Sequence, residues 1–193
     1  VLVMIYVFFA FSILIAFLIP QGRMHRVMKL ISNYWLGVLM YLALTVIIAD
    51  LIRLILIYLL KADQEKFRTP KVFKIVGSIC MILILLISFY GVCNARNIRT
   101  TSYHVTIHKK VRNHKKLKII LLADLHLGYN IGCSQMKQMV MKVNQQSPDL
   151  IVVAGDIFDN EYDALDDPDQ LVKIFRQLKS QYGVYAVYGN HDI

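Results

Sequence analysis

Three clusters of polar side chains in the C-terminal half of the chain have the residue types that bind metal ions. The clusters are Asp124-Leu125-His126, Gly155-Asp156-Ile157-Phe158-Asp159 and Gly189-Asn190-His191-Asp192. Carboxylate, imidazole and amide oxygen suit borderline to hard divalent ions such as manganese, iron, zinc or magnesium. Carboxylates gathered without Lys or Arg beside them repel one another unless a cation neutralises them. The clusters therefore predict a metal centre, where two ions bridged by one carboxylate could hold a hydroxide for in-line attack on phosphorus.

The spacing of the clusters predicts that three strands bring them to one edge of a sheet. The intervals are 32 residues from Asp124 to Asp156 and 34 residues from Asp156 to Asn190, and each fits one crossover with its helix. Each cluster ends or follows an apolar run of strand length, at residues 118–124, 149–156 and 184–190. Because ligands collect at the carboxyl ends of parallel strands, we expect a β-α-β-α-β unit with all three clusters at that edge.

Two amphipathic helices are predicted between these strands. The first covers residues 134–146, with Ser134 as its candidate N-cap. Its apolar stripe indicates core packing and consists of Met136, Met139, Val140 and Val143. The second begins at Asp167-Pro168 and ends at Tyr182-Gly183, where glycine supplies the stop. The acids around its start are expected to be solvated or to cap the helix: Asp163, Asp166, Asp167 and Asp169.

One more strand is predicted ahead of this unit. Tyr103, Val105 and Ile107 alternate with polar residues over 102–108, which is typical of a half-buried strand. A turn at Asn113-His114 is expected to follow.

The first 93 residues carry nearly all the long apolar runs of a chain that is 56% hydrophobic, which indicates a membrane protein. Three runs are long enough to cross a bilayer core of roughly 30 Å, namely residues 1–19, 34–60 and 75–93. Residues 94–101 are then a linker to a domain at 102–193, on the same membrane face as a loop at 20–33. Five basic residues flank the spans on each face, so the Lys and Arg counts leave the face of this multi-pass protein open.

Two charged residues, Asp50 and Arg53, interrupt the second span. Residues three apart share a helix face, so a structural ion pair that faces the bundle is the favoured interpretation. A transport or proton-relay role is the alternative.

The formal charge of +9 does not indicate a nucleic-acid partner. The basic residues concentrate in short loops beside the apolar runs and in residues 108–118, without an aromatic and basic groove pattern. We therefore expect contact with the lipid bilayer and its anionic headgroups. The three cysteines form no C-x-x-C motif, so neither a zinc ribbon nor a disulfide scaffold is indicated.

The motifs D-x-H, G-D-x-x-D and G-N-H-D, in this order and spacing, resemble the first three blocks of the calcineurin-like metallophosphoesterase superfamily. The stretch LKIILLADLHLG is similar to membrane-attached bacterial members. The resemblance covers roughly residues 102–193 and implies membrane helices followed by the first βαβαβ half of a four-layer αββα sandwich. It implies a membrane-anchored enzyme that hydrolyses phosphomonoester, phosphodiester or pyrophosphate bonds by a metal-bridging hydroxide.

The resemblance also implies how two divalent metal ions are held. Asp124 and His126 would bind the first ion, and Asp156 would bridge both ions. Asn190 would bind the second ion.

The remaining motif residues have implied roles around the metals. His191 would stabilise or protonate the leaving group, with Asp192 orienting its imidazole. Asp159 would hold its loop behind the metal ligands, and Gly155 and Gly189 would permit tight turns.

Superfamily members complete the centre with later histidine motifs, whereas the given sequence stops one residue after Asp192. The second ion would then have only Asp156 and Asn190 as ligands, so we expect this piece alone to be inactive or nearly so. A non-catalytic membrane protein that binds a nucleotide or lipid headgroup through its metal is the alternative function. The substrate is expected to be a phosphate ester, with lipid-linked compounds and soluble nucleotides both open.

Overall fold

The chain divides into two units, Val1–Asn97 and Ile98–Ile193. A computed structural model describes residues 2–108, 116–159 and 162–192. The first unit is helical, and the second is built around a parallel sheet.

The N-terminal unit consists of four helices: α1 (Leu2–Leu18), α2 (Arg23–Tyr58), α3 (Gln64–Phe67) and α4 (Pro70–Ala95). The predicted loop at 20–33 is wrong beyond Gly22, because α2 already begins at Arg23. Residues 23–33 contain neither proline nor glycine, so their polar character does not stop the helix, and Pro20-Gln21-Gly22 forms the only break there. Polarity marks where a membrane span ends, but not where a helix ends.

Helices α2 and α4 pack as an antiparallel hairpin. A guanidinium nitrogen of Arg96 donates to the Tyr34 hydroxyl over 3.1 Å at one end of the pair, and the Arg53 guanidinium lies 5.8 Å from the Phe73 ring centroid at the other. The apolar run of α4 therefore lies alongside the part of α2 between Tyr34 and Arg53.

Helix α1 packs against the N-terminal part of α2. The Trp35 ring stacks on Phe9, with ring centroids 5.2 Å apart, and meets Tyr6 edge-on at 5.8 Å. Nearer the turn, the Lys29 ammonium lies 4.8 Å from the centroid of the Phe17 ring. Aromatic contacts thus fix α1 beside the more polar end of α2.

Two helices, Arg23–Tyr58 and Pro70–Ala95, are long and apolar enough to cross a membrane. The most apolar 18-residue stretch of each helix is almost entirely unburied, with 0% and 6% of its residues buried. These helices therefore do not resemble the buried core helices of a soluble protein. Val3–Leu18 is a shorter apolar helix, and a three-span arrangement remains a prediction.

The predicted Asp50–Arg53 ion pair does not form in the part of the chain that the structure describes. Arg53 instead places its planar guanidinium over the Phe73 ring, a contact that favours arginine. Both charged residues line a cavity of about 330 Å³ together with Tyr58 and Gln64.

The C-terminal unit has the predicted β-α-β-α-β order. Its strands are β1 (Ile119–Leu122), β2 (Leu150–Ala154) and β3 (Val184–Val187), and its helices are α5 (Cys133–Gln145) and α6 (Pro168–Phe175). The strands are parallel, with the order β1-β2-β3. The pairing ends at Leu122↔Val153 on one side of β2 and at Ala154↔Val187 on the other, so all three strands end at the same edge.

The two helices cover one face of this sheet. The predicted stripe of α5 is confirmed as core, since Met136, Met139, Val140 and Val143 are at most 4% exposed. They pack in one cluster with Ile151 of β2 and with Leu171 and Ile174 of α6. On the other face of the sheet, the side chains of Leu121, Tyr185 and Val187 are exposed.

The predicted strand at 102–108 is not formed. Tyr103, Val105 and Ile107 are 84%, 81% and 75% exposed, and no backbone ladder includes them. An alternating pattern forms a strand only where a neighbouring strand supplies hydrogen bonds, and none lies beside these residues among those described. The predicted turn at Asn113-His114 lies outside the described residues.

The start of α5 differs from the prediction. The N-cap is Gly132 and not Ser134, and the helix begins at Cys133. The Gln135 side-chain oxygen accepts a hydrogen bond from the Gly132 N–H over 3.3 Å, so a glutamine secures this end.

The start of α6 is as predicted, but its end is not. The Asp167 carboxylate caps the helix by accepting from the Gln170 N–H over 2.9 Å. The helix ends at Phe175, well before Gly183, because Asn144 of α5 binds the backbone beyond it. The Asn144 amide accepts from the Lys179 N–H and donates to the Gln177 carbonyl, at 2.9 and 2.7 Å. A longer helix would need these backbone groups for its own hydrogen bonds between residues four positions apart.

Candidate metal centre

Asp124, His126 and Asp156 converge at the carboxyl ends of β1 and β2. Each residue offers a ligand atom, and these atoms all lie within 4.8 Å of one another. Asp124 and Asp156 each lie two residues beyond the end of their strand. Parallel pairing of β1 with β2 therefore places the two acids side by side, as the sequence pattern predicts.

All three of these residues have left-handed backbones. The φ angles are 53° at Asp124, 43° at His126 and 49° at Asp156. Such a conformation costs about 1–3 kcal/mol in a residue other than glycine. It turns the chain out of the strand direction, which lets neighbouring side chains point to one place instead of alternating between the two faces of the sheet.

Backbone hydrogen bonds tie the loop after β1 to the loop after β2. The His126 N–H donates to the Asp156 carbonyl over 3.0 Å, and the Leu127 N–H donates to the Ile157 carbonyl over 2.9 Å. The Asp159 N–H completes the connection by donating to the Leu127 carbonyl over 2.8 Å. Leu127 is fully buried, and sequence reasoning gave it no role, although it directly follows the first motif block.

The loop after β3 lies against Asp156. The His191 N–H donates to Asp156 Oδ1 over 3.0 Å. The Asp192 N–H reaches back to the Gly189 carbonyl over 3.4 Å, so Asn190 stands exposed at the tip of a turn. This arrangement brings Asn190 and His191 to the edge where Asp124 and Asp156 meet.

Gly155 and Gly189 are needed for close approach. A Cβ atom on Gly155 would lie 2.6 Å from the Gly189 nitrogen, and one on Gly189 would overlap Asp156 Oδ1. The φ angle of Gly155 is 77°, which also favours glycine. The two glycines let the second and third loops touch directly.

The His191 ring lies beside His126 and Asp159. Its ring lies edge-on to the His126 ring, with centroids 5.0 Å apart. His126, Asp159 and His191 form a second group whose ligand atoms lie within 4.8 Å of one another. Asp159 is thus placed beside the His191 imidazole, a position that its spacing in the sequence did not reveal.

The Asp192 carboxylate binds backbone N–H groups from two loops. Oδ2 accepts from Gly189 over 2.9 Å, and Oδ1 accepts from Ile157 and Phe158 over 2.9 and 3.0 Å. These hydrogen bonds, from Gly189 first and then from Phe158, lower the pKa of Asp192 below its ordinary value. The carboxylate is therefore held as an anion.

The donor set suits a divalent cation. Two carboxylates and an imidazole lie within coordination reach of one another, and the carboxylates would repel without positive charge between them. The left-handed backbones at these positions are strain of the kind that clusters at functional sites. The residues present therefore fit a metal centre.

Residues 117–193 match the sequence profile of the calcineurin-like phosphoesterase family. The chain is 34% identical over 116 residues to a transmembrane protein with metallophosphoesterase domain from Bos taurus, an alignment that covers 60% of this chain and 26% of that protein. It is 28% identical over 144 residues to an uncharacterized metallophosphoesterase of Campylobacter jejuni, covering 74% of this chain and 36% of the relative.

A third relative is UDP-2,3-diacylglucosamine pyrophosphatase LpxG of Chlamydia trachomatis, which is 28% identical over 95 residues, or 49% of this chain and 28% of that protein. The chain thus spans about a quarter to a third of the length of these relatives. No solved structure matches it significantly. The profile match, the parallel sheet and the three converging motifs agree, so residues 117–193 are similar to the calcineurin-like phosphoesterase domain, and they follow a segment of apolar helices.

Proposed function

We propose that this protein is a membrane-anchored, metal-dependent hydrolase of phosphomonoester, phosphodiester or pyrophosphate bonds. The observation that carries the proposal is the convergence of Asp124, His126 and Asp156 within 4.8 Å, beside the turn that holds Asn190 and His191. Such a concentration of ligand groups on strained backbone has no evident purpose in folding.

Two divalent ions are proposed to bind here. Asp124, His126 and Asp156 would hold the first, and Asp156 and Asn190 would contribute to the second. When bound, such ions polarise a phosphoryl oxygen and lower the pKa of water, whichever of manganese, iron, zinc or magnesium is present. The chain's own contribution is to hold these ligands in place before the ions arrive.

His191 is proposed to act on the leaving group. Its ring stands beside His126, so it would face a phosphate ester bound at the metals. A protonated imidazole there could stabilise the leaving oxygen or give it a proton. Asp159, whose carboxylate lies within 4.8 Å of the ring nitrogen, would orient the ring.

The apolar helices are proposed to hold the domain at a membrane surface in a multi-pass arrangement. The antiparallel pairing of α2 with α4 means that a bilayer crossed by both has Arg23 and Arg96 on the same side. A lipid-linked phosphate ester or pyrophosphate would reach such a site without leaving the bilayer. One relative is named a pyrophosphatase of UDP-2,3-diacylglucosamine, which supports this substrate class.

An assay of aryl phosphodiester hydrolysis tests the proposal. The full-length natural protein should hydrolyse bis(p-nitrophenyl) phosphate when manganese is present and stop when a chelator removes it. His191→Ala should reduce turnover while bound manganese is retained, whereas Asp163→Asn, which removes an exposed acid, should change neither. Turnover that survives both metal removal and Asp156→Asn would refute the proposal.

A further inference from the structure

Three loops meet at the proposed site, and one side chain joins two of them beyond the last strand hydrogen bonds. The ladder between β2 and β3 ends at Ala154↔Val187. Past this point, the Asp192 carboxylate accepts three backbone N–H groups, two of them from residues 35 and 34 positions earlier in the chain. Together with the Asp156 carboxylate, which accepts the His191 N–H, the Asp192 carboxylate thus continues the connection that the sheet no longer provides.

The donors that Asp192 binds flank the proposed bridging ligand. Ile157 and Phe158 directly follow Asp156, and Gly189 directly precedes Asn190. Each end of the carboxylate therefore fixes backbone next to a proposed metal ligand. Charge-assisted hydrogen bonds of this kind are roughly twice as strong as neutral ones.

We propose that Asp192 is a positioning residue that sets the distance between Asp156 and the Asn190-His191 turn, and thereby the binding of the second divalent cation. The inference rests on the proposed function for its ligand. It differs from an action through the His191 imidazole, because the carboxylate accepts its hydrogen bonds from backbone N–H groups on two loops.

Asp192→Asn removes the negative charge of the side chain while it nearly keeps the shape. An amide offers one oxygen and one NH₂ group, and its NH₂ cannot accept a hydrogen bond from an N–H of either loop. Loss of a partner behind metal ligands typically weakens metal affinity about 10- to 100-fold. We expect the weaker manganese site of the full-length protein to lose affinity by that factor, and its paramagnetic resonance spectrum to change from a coupled ion pair to a single ion.

Two further variants assign the effect. Asp163→Asn removes an exposed acid outside the site and should bind manganese as the natural protein does. The same fold-loss should appear when Asp192→Asn is added to His191→Ala, since the positioning role does not pass through the imidazole. If Asp192→Asn binds both ions normally, or if it has no effect once His191 is replaced, the proposal is overturned.

A measurement on the natural protein covers the case in which Asp192→Asn does not fold. Hydrogen exchange of the metal-free protein should show slow amides at Ile157, Phe158 and Gly189, although the Phe158 side chain is 37% exposed. Fast exchange at these amides would overturn the positioning role. Slow exchange together with no manganese binding by the natural protein would refute the proposed function. The hydrogen bonds by which Asp192 connects the two loops would still be supported.

Discussion

The backbone N–H of His191 donates to Asp156 Oδ1 over 3.0 Å, although the two residues are 35 positions apart in the chain. The backbone carbonyl of Asp156 accepts from the His126 N–H on its other side. One residue therefore contacts both neighbouring loops, through its side chain in one direction and its backbone in the other. The carboxylate proposed to bridge two ions is held in place by the protein alone.

Replacement of Asp156 by Asn should abolish the stabilisation that manganese confers. Asparagine keeps an oxygen that can accept the His191 N–H, so the fold should persist, while the loss of charge weakens cation binding. In the natural protein, manganese at 100 times its dissociation constant should stabilise the domain by about 2.7 kcal/mol. Thermal unfolding with and without manganese measures this, with Asp163→Asn as control. An equal manganese effect in Asp156→Asn would contradict the assignment.

Gly155→Ala should destabilise the C-terminal unit by about 1–3 kcal/mol. The added Cβ would lie 2.6 Å from the Gly189 nitrogen, and the φ angle of 77° disfavours any side chain. Gly132→Ala is the matched control, because its Cβ would meet nothing closer than 3.8 Å and its cost should be smaller. Pulse proteolysis in urea compares them. Equal stability of the two variants would show that the loops do not touch at Gly155.

Met136→Ala should destabilise the same unit by about 2–5 kcal/mol, since its side chain is 2% exposed within the core of α5, α6 and the sheet. Met141→Ala makes the same chemical change on the other face of α5, where the side chain is 51% exposed. Its effect should stay within about 0.5 kcal/mol. Urea unfolding of both variants measures the difference in the free energy of unfolding. Similar losses would indicate that a different face of α5 packs against the sheet.

Single cysteines should reveal a hairpin across the membrane. In a variant with Cys80, Cys93 and Cys133 replaced by serine, Gln21→Cys and Asn97→Cys should react with an impermeant maleimide from the same side of sealed vesicles. Gln64→Cys, in the segment between α2 and α4, should react only from the opposite side. Labelling of all three positions from one side would exclude a hairpin that crosses the bilayer.

The Cys133 thiol should need a higher pH for alkylation than glutathione. Burial and then the charges of Asp166 and Asp167 raise its pKa above the ordinary value, so less thiolate is present at any pH below it. The rate of iodoacetamide reaction as a function of pH, in a variant with Cys80 and Cys93 replaced by serine, gives the midpoint. Asp166→Asn should lower that midpoint. A midpoint at or below that of glutathione would contradict this environment.

Sequence patterns predicted the three strands and their parallel pairing, because apolar runs that end in acids at regular intervals indicate parallel crossovers. The helical spacing of apolar residues in α5 identified Met136 and Val140 as core residues. Patterns did not predict where helices end, since those ends depend on distant partners. Asn144 stops α6 from another helix, and nothing in the sequence of α6 reveals this.

The candidate site was predictable in its residue types and less so in its connections. The spacing of Asp124 and Asp156 predicted their meeting, because strand ends fix it. The hydrogen bonds of Asp192 and the place of Asp159 beside His191 depend on loop conformations with left-handed residues, which strand and helix periodicities do not encode.

Trp35 is the only tryptophan of the sequence, and its ring is stacked on Phe9 in the contact between α1 and α2. Its fluorescence therefore reports on the helical unit, and residues 98–193 contribute no tryptophan signal. The emission wavelength can follow detergent or lipid effects on the apolar helices independently of residues 98–193. Selective excitation of this tryptophan thus gives an optical signal for the helical unit alone among residues 1–193.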